Sequence, residues 1–130
     1  MDTKSSEGKE IRIPGPDHPI TISQAEGRVR VTVAGRIVAE STRALRLEEK
    51  GYPPVYYLPR NDADLSLFAR TTHYTYCPYK GDCTYYNIPI GGSRSENAVW
   101  TYERPHEAVA SIKEYLSFYP SRVDAIDVIS

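Results

Sequence analysis

Residues 72–88 read THYTYCPYKGDCTYYNI, and the rest of the chain is most easily understood from this stretch outward. It holds Tyr74, Tyr76, Tyr79, Tyr85 and Tyr86 of the eleven tyrosines, both cysteines and one Lys-Gly pair. Successive side chains of a strand face opposite ways, so Thr72, Tyr74 and Tyr76 share one face and His73, Thr75 and Cys77 the other. Pro78 interrupts that alternation, and residues 84–88 resume it with β-favouring side chains before Pro89. The pattern predicts a hairpin with a six-residue loop, 78–83. Gly81 supplies the freedom to turn sharply, with Lys80 and Asp82 on its flanks. Aromatic strands beside a polar loop suit the mouth of a pocket, where rings provide area and a few polar groups fix orientation.

Strand signals continue on both sides. Val29, Val31 and Val33 alternate with Arg28, Arg30 and Thr32, Ala34-Gly35 makes a two-residue turn, and residues 36–39 return, so 28–39 is a second hairpin. Ile20 and Ile22 open a strand before it. Residues 41–47 have helix-favouring neighbours, but the alternation of Leu45 and Leu47 with Arg46 and the breakers Gly51, Pro53 and Pro54 favour a strand. Residues 55–58 form a short strand ended by Pro59. Asn61 or Asp62 then reads as the N-cap of a helix of about two turns through Leu65, Leu67, Phe68 and Ala69.

After the tyrosine hairpin, 91–97 is a polar connection without a phosphate-loop lysine. Residues 98–102 form a strand with Trp100 and Tyr102 on the same face. Pro105 stands at the first position of a helix whose apolar stripe runs through Val109, Ile112, Leu116 and Tyr119. Residues 123–129 supply a last strand. The fold class is therefore mainly β with two helices, an antiparallel sheet or partly open barrel.

A chain of 130 residues is one domain, large enough to fold without metal or disulfide staples. Sixteen basic and seventeen acidic residues nearly cancel, which argues against a nucleic-acid partner. No apolar run approaches the length of a membrane span, and the polar start MDTKSSEGKE lacks a signal-peptide core, so the expectation is a cytoplasmic protein with reduced thiols and no membrane partner. Residues 1–19, polar and rich in Gly and Pro, read as a flexible N-terminal arm preceding a domain over 20–130. Ile11 and Ile13 are its apolar anchors and could add an edge strand. A homo-oligomer in which the arm covers a neighbouring subunit stays open.

With these segments in place, the order VTVAGRIVAEST, VYYLPRND, CPYKGDCTYYNI, VWTYERP and SFYPSRVD resembles the family catalogued as domain of unknown function 427. The likeness spans roughly residues 20–127. It implies a small β-tent, two antiparallel sheets splayed from one edge, and a nucleotidyltransferase-like label that carries no catalytic residues to transfer. Cys83 departs from the family pattern, in which a small residue usually stands at that place. A pairing of Cys77 with Cys83 would be particular to this chain.

The candidate site residues bear on three chemistries. Zinc needs four converging ligands, whereas one C-x5-C and the scattered His18, His73 and His106 offer no such spacing, so zinc is not expected. Cys77 is the candidate nucleophile, with Lys80 near enough in sequence to favour thiolate, against the alternative of an inert packed thiol. The reading that accounts for most residues is a pocket with Tyr57, Tyr76, Tyr85, Tyr86, Trp100 and Tyr102 as walls, Gly81 in the loop, and Arg60 and Lys80 as fixed cations. It would hold a small anionic or aromatic ligand. An enzyme of nucleotidyltransferase or thiol-dependent type, and a protein-interaction domain, are the alternatives.

Overall fold

The computed structural model describes residues 9–130. Among the described residues ten strands build three antiparallel sheets. The first joins β1 (Ile20–Gln24), β4 (Leu45–Glu49) and β5 (Val55–Tyr57) in the order β1-β4-β5. The second joins β2 (Arg28–Val33), β3 (Arg36–Ser41) and β10 (Ala125–Ile129) in the order β10-β2-β3. The third runs β6 (Ala69–Cys77), β7 (Gly81–Asn87), β8 (Val99–Thr101) and β9 (Ser117–Phe118). The fold is mainly β and antiparallel, and among the described residues no sheet closes into a barrel.

The 28–39 hairpin forms as its alternation requires. Val29, Val31 and Val33 are buried, and Ala34 and Gly35 both have positive φ, as a two-residue hairpin turn demands. Arg28 and Arg30 lie on the wet face and meet Glu40 at 3.4 and 3.0 Å. Residues 45–49 are a strand despite their helix-favouring composition, because β4 is the central member of its sheet and pairs on both edges.

Both helical regions are short 3-10 segments. Arg60–Asp62 and Leu65–Leu67 replace the single helix expected at 61–69, and the cap is Asp64, whose side chain accepts from the Ser66 amide. Glu107–Ile112 replaces the long helix expected from Pro105 to Tyr119. The stripe is still buried at Val109, Ile112 and Leu116, but Glu114 takes φ 62 and the chain turns back. The Glu114 amide donates to the Tyr102 carbonyl, and Leu116 exchanges backbone hydrogen bonds with Leu58 at 2.8 Å in each direction. Sheet pairing outcompetes the helical repeat there. Residues 91–97 are not a loose connection either: they fall largely within a 3-10 stretch, Pro89–Ser95, where Ser95 is buried and its hydroxyl donates to the Arg122 carbonyl at 2.7 Å.

The core has two parts. One packs Val29, Val31, Val33 and Val38 against Leu58, Ile88, Val99 and Phe118. The other gathers Leu47, Tyr57, Cys83, Tyr85, Tyr102, Val109 and Ile112 between the first and third sheets. Of the arm read over 1–19, residues 1–8 lie outside the described part. From Lys9 the chain follows the tyrosine hairpin: the Arg12 amide donates to the Pro78 carbonyl and Tyr76 Oη to the Glu10 carbonyl. Ile11 and Ile13 add no edge strand and stay exposed. No helix among the described residues is long and apolar enough to cross a membrane.

Candidate functional site

The turn of the tyrosine hairpin is tighter than its sequence suggests. Cys77 and Gly81 are register partners, so the loop is Pro78, Tyr79 and Lys80, three residues rather than six. Gly81, at φ 112, makes this closure affordable, since side chains rarely adopt that backbone. A Cβ there would also stand 3.3 Å from the Arg104 carbonyl oxygen. The Lys80 carbonyl accepts from the His106 amide at 2.9 Å, which pins the loop to the segment after β8.

From this fixed point the Lys80 side chain turns inward and donates to Glu49 Oε1 at 2.7 Å. Glu49 Oε2 meets His18 Nε2 at 2.7 Å, and the His18 ring stacks on Tyr79 with centroids 4.1 Å apart. Burial pushes the Glu49 carboxyl up, but the hydrogen bonds and charges of Lys80 and His18 outweigh it and hold the group below the ordinary glutamate value. Lys80 Nζ is also 3.8 Å from Cys77 Sγ.

Strand alternation places the walls. Leu47 and Glu49 of β4 share a face, as do Val55 and Tyr57 of β5, and that face looks across at Cys83 and Tyr85 of β7 and Trp100 of β8. Tyr85 and Trp100 are register partners, which puts both side chains on the cleft face of the third sheet. Trp100 Nε1 donates to Tyr57 Oη at 3.2 Å, with the two rings edge to face at 6.2 Å, and the Tyr119 ring centroid lies 4.4 Å from that of Trp100. The result is a cleft of about 290 Å³ between the first and third sheets, rimmed by Tyr52 and Pro53, with the Lys80–Glu49 pair and both thiols in its lining. Burial raises the hydroxyl pKa of Tyr57, Tyr85 and Tyr102, so these phenols stay neutral across the physiological range. Burial likewise pushes the Cys83 thiol up. Cys77 and Cys83 are both free thiols.

Of the residues singled out in the sequence, Tyr57, Lys80, Tyr85, Trp100 and Tyr102 meet in this cleft, together with Cys77. Gly81 shapes the turn beneath Lys80 and does not line it. Tyr86 and Arg60 are elsewhere. Tyr86 alternates with Tyr85 and so points to the opposite face of the third sheet, where Arg60 donates to Tyr86 Oη at 3.2 Å, Thr101 Oγ1 at 3.3 Å and the Glu114 carbonyl at 3.2 Å. Arg60 is thus a clamp joining its corner to β7 and β8, and it does not share a site with Lys80. Tyr76 also lies outside the cleft, against His106 and the arm. Glu49, Tyr52 and Tyr119 have no place in the pocket read from the sequence, and His18 enters that reading only as one of the scattered histidines. Glu49 had a signal: its alternation with Leu47 puts a carboxylate where the buried face calls for an apolar side chain. His18 sits in a segment without periodicity and had none.

Among the described residues no three His, Cys, Asp or Glu side chains lie close enough together to hold a metal ion. Asp62 and Asp64 are engaged locally: Asp62 accepts from Ser41 and Arg43, Asp64 from Ser66.

The model of the family described as domain of unknown function (DUF427) matches residues 21–129. The chain belongs to that family. Compared with curated proteins, the sequence finds no match. In this DUF427 domain every side chain lining the cleft falls inside the matched span, whereas His18, which braces Glu49 from outside, precedes it.

Proposed function

We propose that this DUF427 domain binds a small aromatic ligand in the cleft between its first and third sheets. The observation that carries the reading is the convergence of Tyr57, Tyr85, Trp100, Tyr102 and Tyr119 around one opening of about 290 Å³ that ends on a nearly buried ion pair. Aromatic walls with a few convergent polar groups are the usual make-up of a small-molecule site, and the volume suits a ligand built on one ring or two. Offset and edge-to-face contacts with such walls add about 0.5–1.5 kcal/mol per ring pair beyond the area covered. A simple anion is less well served, because the Lys80 charge is already met by Glu49.

Trp100 is the only tryptophan, so its emission reads the cleft directly. Titration with small aromatic probes should change that emission saturably, and Tyr52→Ala at the rim should weaken the response several-fold. Arg60→Ala, on the far face, should leave affinity unchanged. Binding lost in Arg60→Ala but kept in Tyr52→Ala would move the site out of the cleft.

One observation favours a second reading, a thiol-dependent enzyme: Cys77 opens onto the same cleft with Lys80 Nζ 3.8 Å from its sulfur. Cys77→Ser would then abolish turnover of a bound substrate while retaining its affinity.

A further inference from the structure

The end of the cleft is chemically two-sided. Lys80 and Glu49 are each about one-tenth exposed, both line the opening, and they neutralise one another. Lys80 carries three N–H donors. Among the described residues one reaches Glu49 Oε1, and the sulfur of Cys77 at 3.8 Å is a weak second acceptor. Each Glu49 oxygen accepts one strong hydrogen bond, Oε1 from Lys80 and Oε2 from His18, and a carboxylate oxygen has room for a second. The pair therefore offers a donor and an acceptor side by side with no net charge.

We infer that the ligand is a neutral aromatic carboxamide, its carbonyl oxygen accepting from Lys80 and its N–H donating to Glu49 while the ring lies among Tyr57, Tyr85 and Trp100. This rests on the proposed aromatic site and names its ligand class. A carboxylate on the same ring would satisfy Lys80 but bring a like charge against Glu49 in a poorly solvated place. An ammonium would meet Glu49 but crowd Lys80. Either ion would also have to leave water for a site whose charges are already balanced. The amide alone satisfies both partners without adding charge.

Calorimetric titration of the full chain with four probes of similar size, namely benzamide, benzoate, benzylamine and toluene, decides the matter. Benzamide should bind at least about tenfold tighter than each of the others, the difference expected when two polar groups go unpaired. Lys80→Met should remove that preference. Glu49→Gln, which exposes the lysine charge, should shift it toward benzoate. Benzoate binding as well as benzamide to the wild-type protein would overturn the carboxamide assignment, as would toluene doing so, and either result leaves the aromatic site standing. No binding by any of the four would overturn the aromatic site itself.

Discussion

Lys80 Nζ and Glu49 Oε1 are 2.7 Å apart, and this contact joins the tip of the tyrosine hairpin to the central strand of the first sheet. Two elements far apart in sequence are thereby held together at the end of the cleft. Removing one member of a nearly buried pair strands the other charge and costs about 3 kcal/mol. Glu49→Ala should lower Tm by on the order of 10 °C. The double variant Glu49→Leu/Lys80→Met removes both charges and should be more stable than either single variant, as thermal melts of the three proteins would reveal. A double variant as unstable as the sum of the singles would mean that the two groups are not coupled.

Acid should weaken the same link. The Glu49 carboxyl is held below its ordinary value in the folded protein, so its ionised form contributes stability above the unfolded value near 4.5, and that contribution is lost as pH falls through the lower folded value. Urea midpoints measured from pH 7 to pH 3 should therefore fall more steeply for the wild-type protein than for Glu49→Gln. Parallel curves would show that Glu49 is not the group responsible. Glu103, held low by Arg70, titrates in both proteins and cancels in the comparison.

The two thiols should differ sharply in access. Cys77 is half-buried at the cleft, whereas Cys83 is buried and its thiol is pushed up by burial. Brief treatment of the native protein with iodoacetamide, followed by peptide mass mapping, should label Cys77 alone, and Cys83 should react only after unfolding. Equal labelling of both would contradict the packing around β7.

Gly81→Ala should destabilise by about 1–3 kcal/mol, since it forces a side chain into a backbone conformation that disfavours it and against the Arg104 carbonyl. Because this turn sets the direction of Lys80, the variant should also weaken any ligand of the cleft. Denaturant melts and probe titrations on one preparation measure the two effects together.

Much of this arrangement could be read in advance, for identifiable reasons. Alternation in 28–33 is strict and puts Val29, Val31 and Val33 inward, and the period of two puts Trp100 and Tyr102 on one face of 98–102. The same rule separates Tyr85 from Tyr86, yet composition groups all tyrosines together, so the pocket read from the sequence includes Tyr86, which lies with Arg60 on the other face of the third sheet. The helix expected from Pro105 failed because its periodicity reports burial correctly but does not show that the Leu58 backbone requires a partner, which Leu116 supplies. The loop is shorter than its sequence suggests because Asp82 and Cys83 have polar or small side chains, while their pairing is decided by Tyr76 and Thr75 across the ladder. His18 depends on how the arm lies over Tyr79, and no local pattern encodes that.

The central claim is that aromatic ligands bind in the cleft that Tyr57 and Trp100 line between the first and third sheets, and a single signal can test it. The protein has one indole N–H, that of Trp100, which donates to Tyr57 Oη. In a two-dimensional proton–nitrogen spectrum, titration with benzamide should move this one cross-peak saturably, together with the amides of Lys80 and Tyr85. Saturable shifts confined to Arg60, Tyr86 and Thr101, with the indole peak unmoved, would place binding on the opposite face and contradict the account.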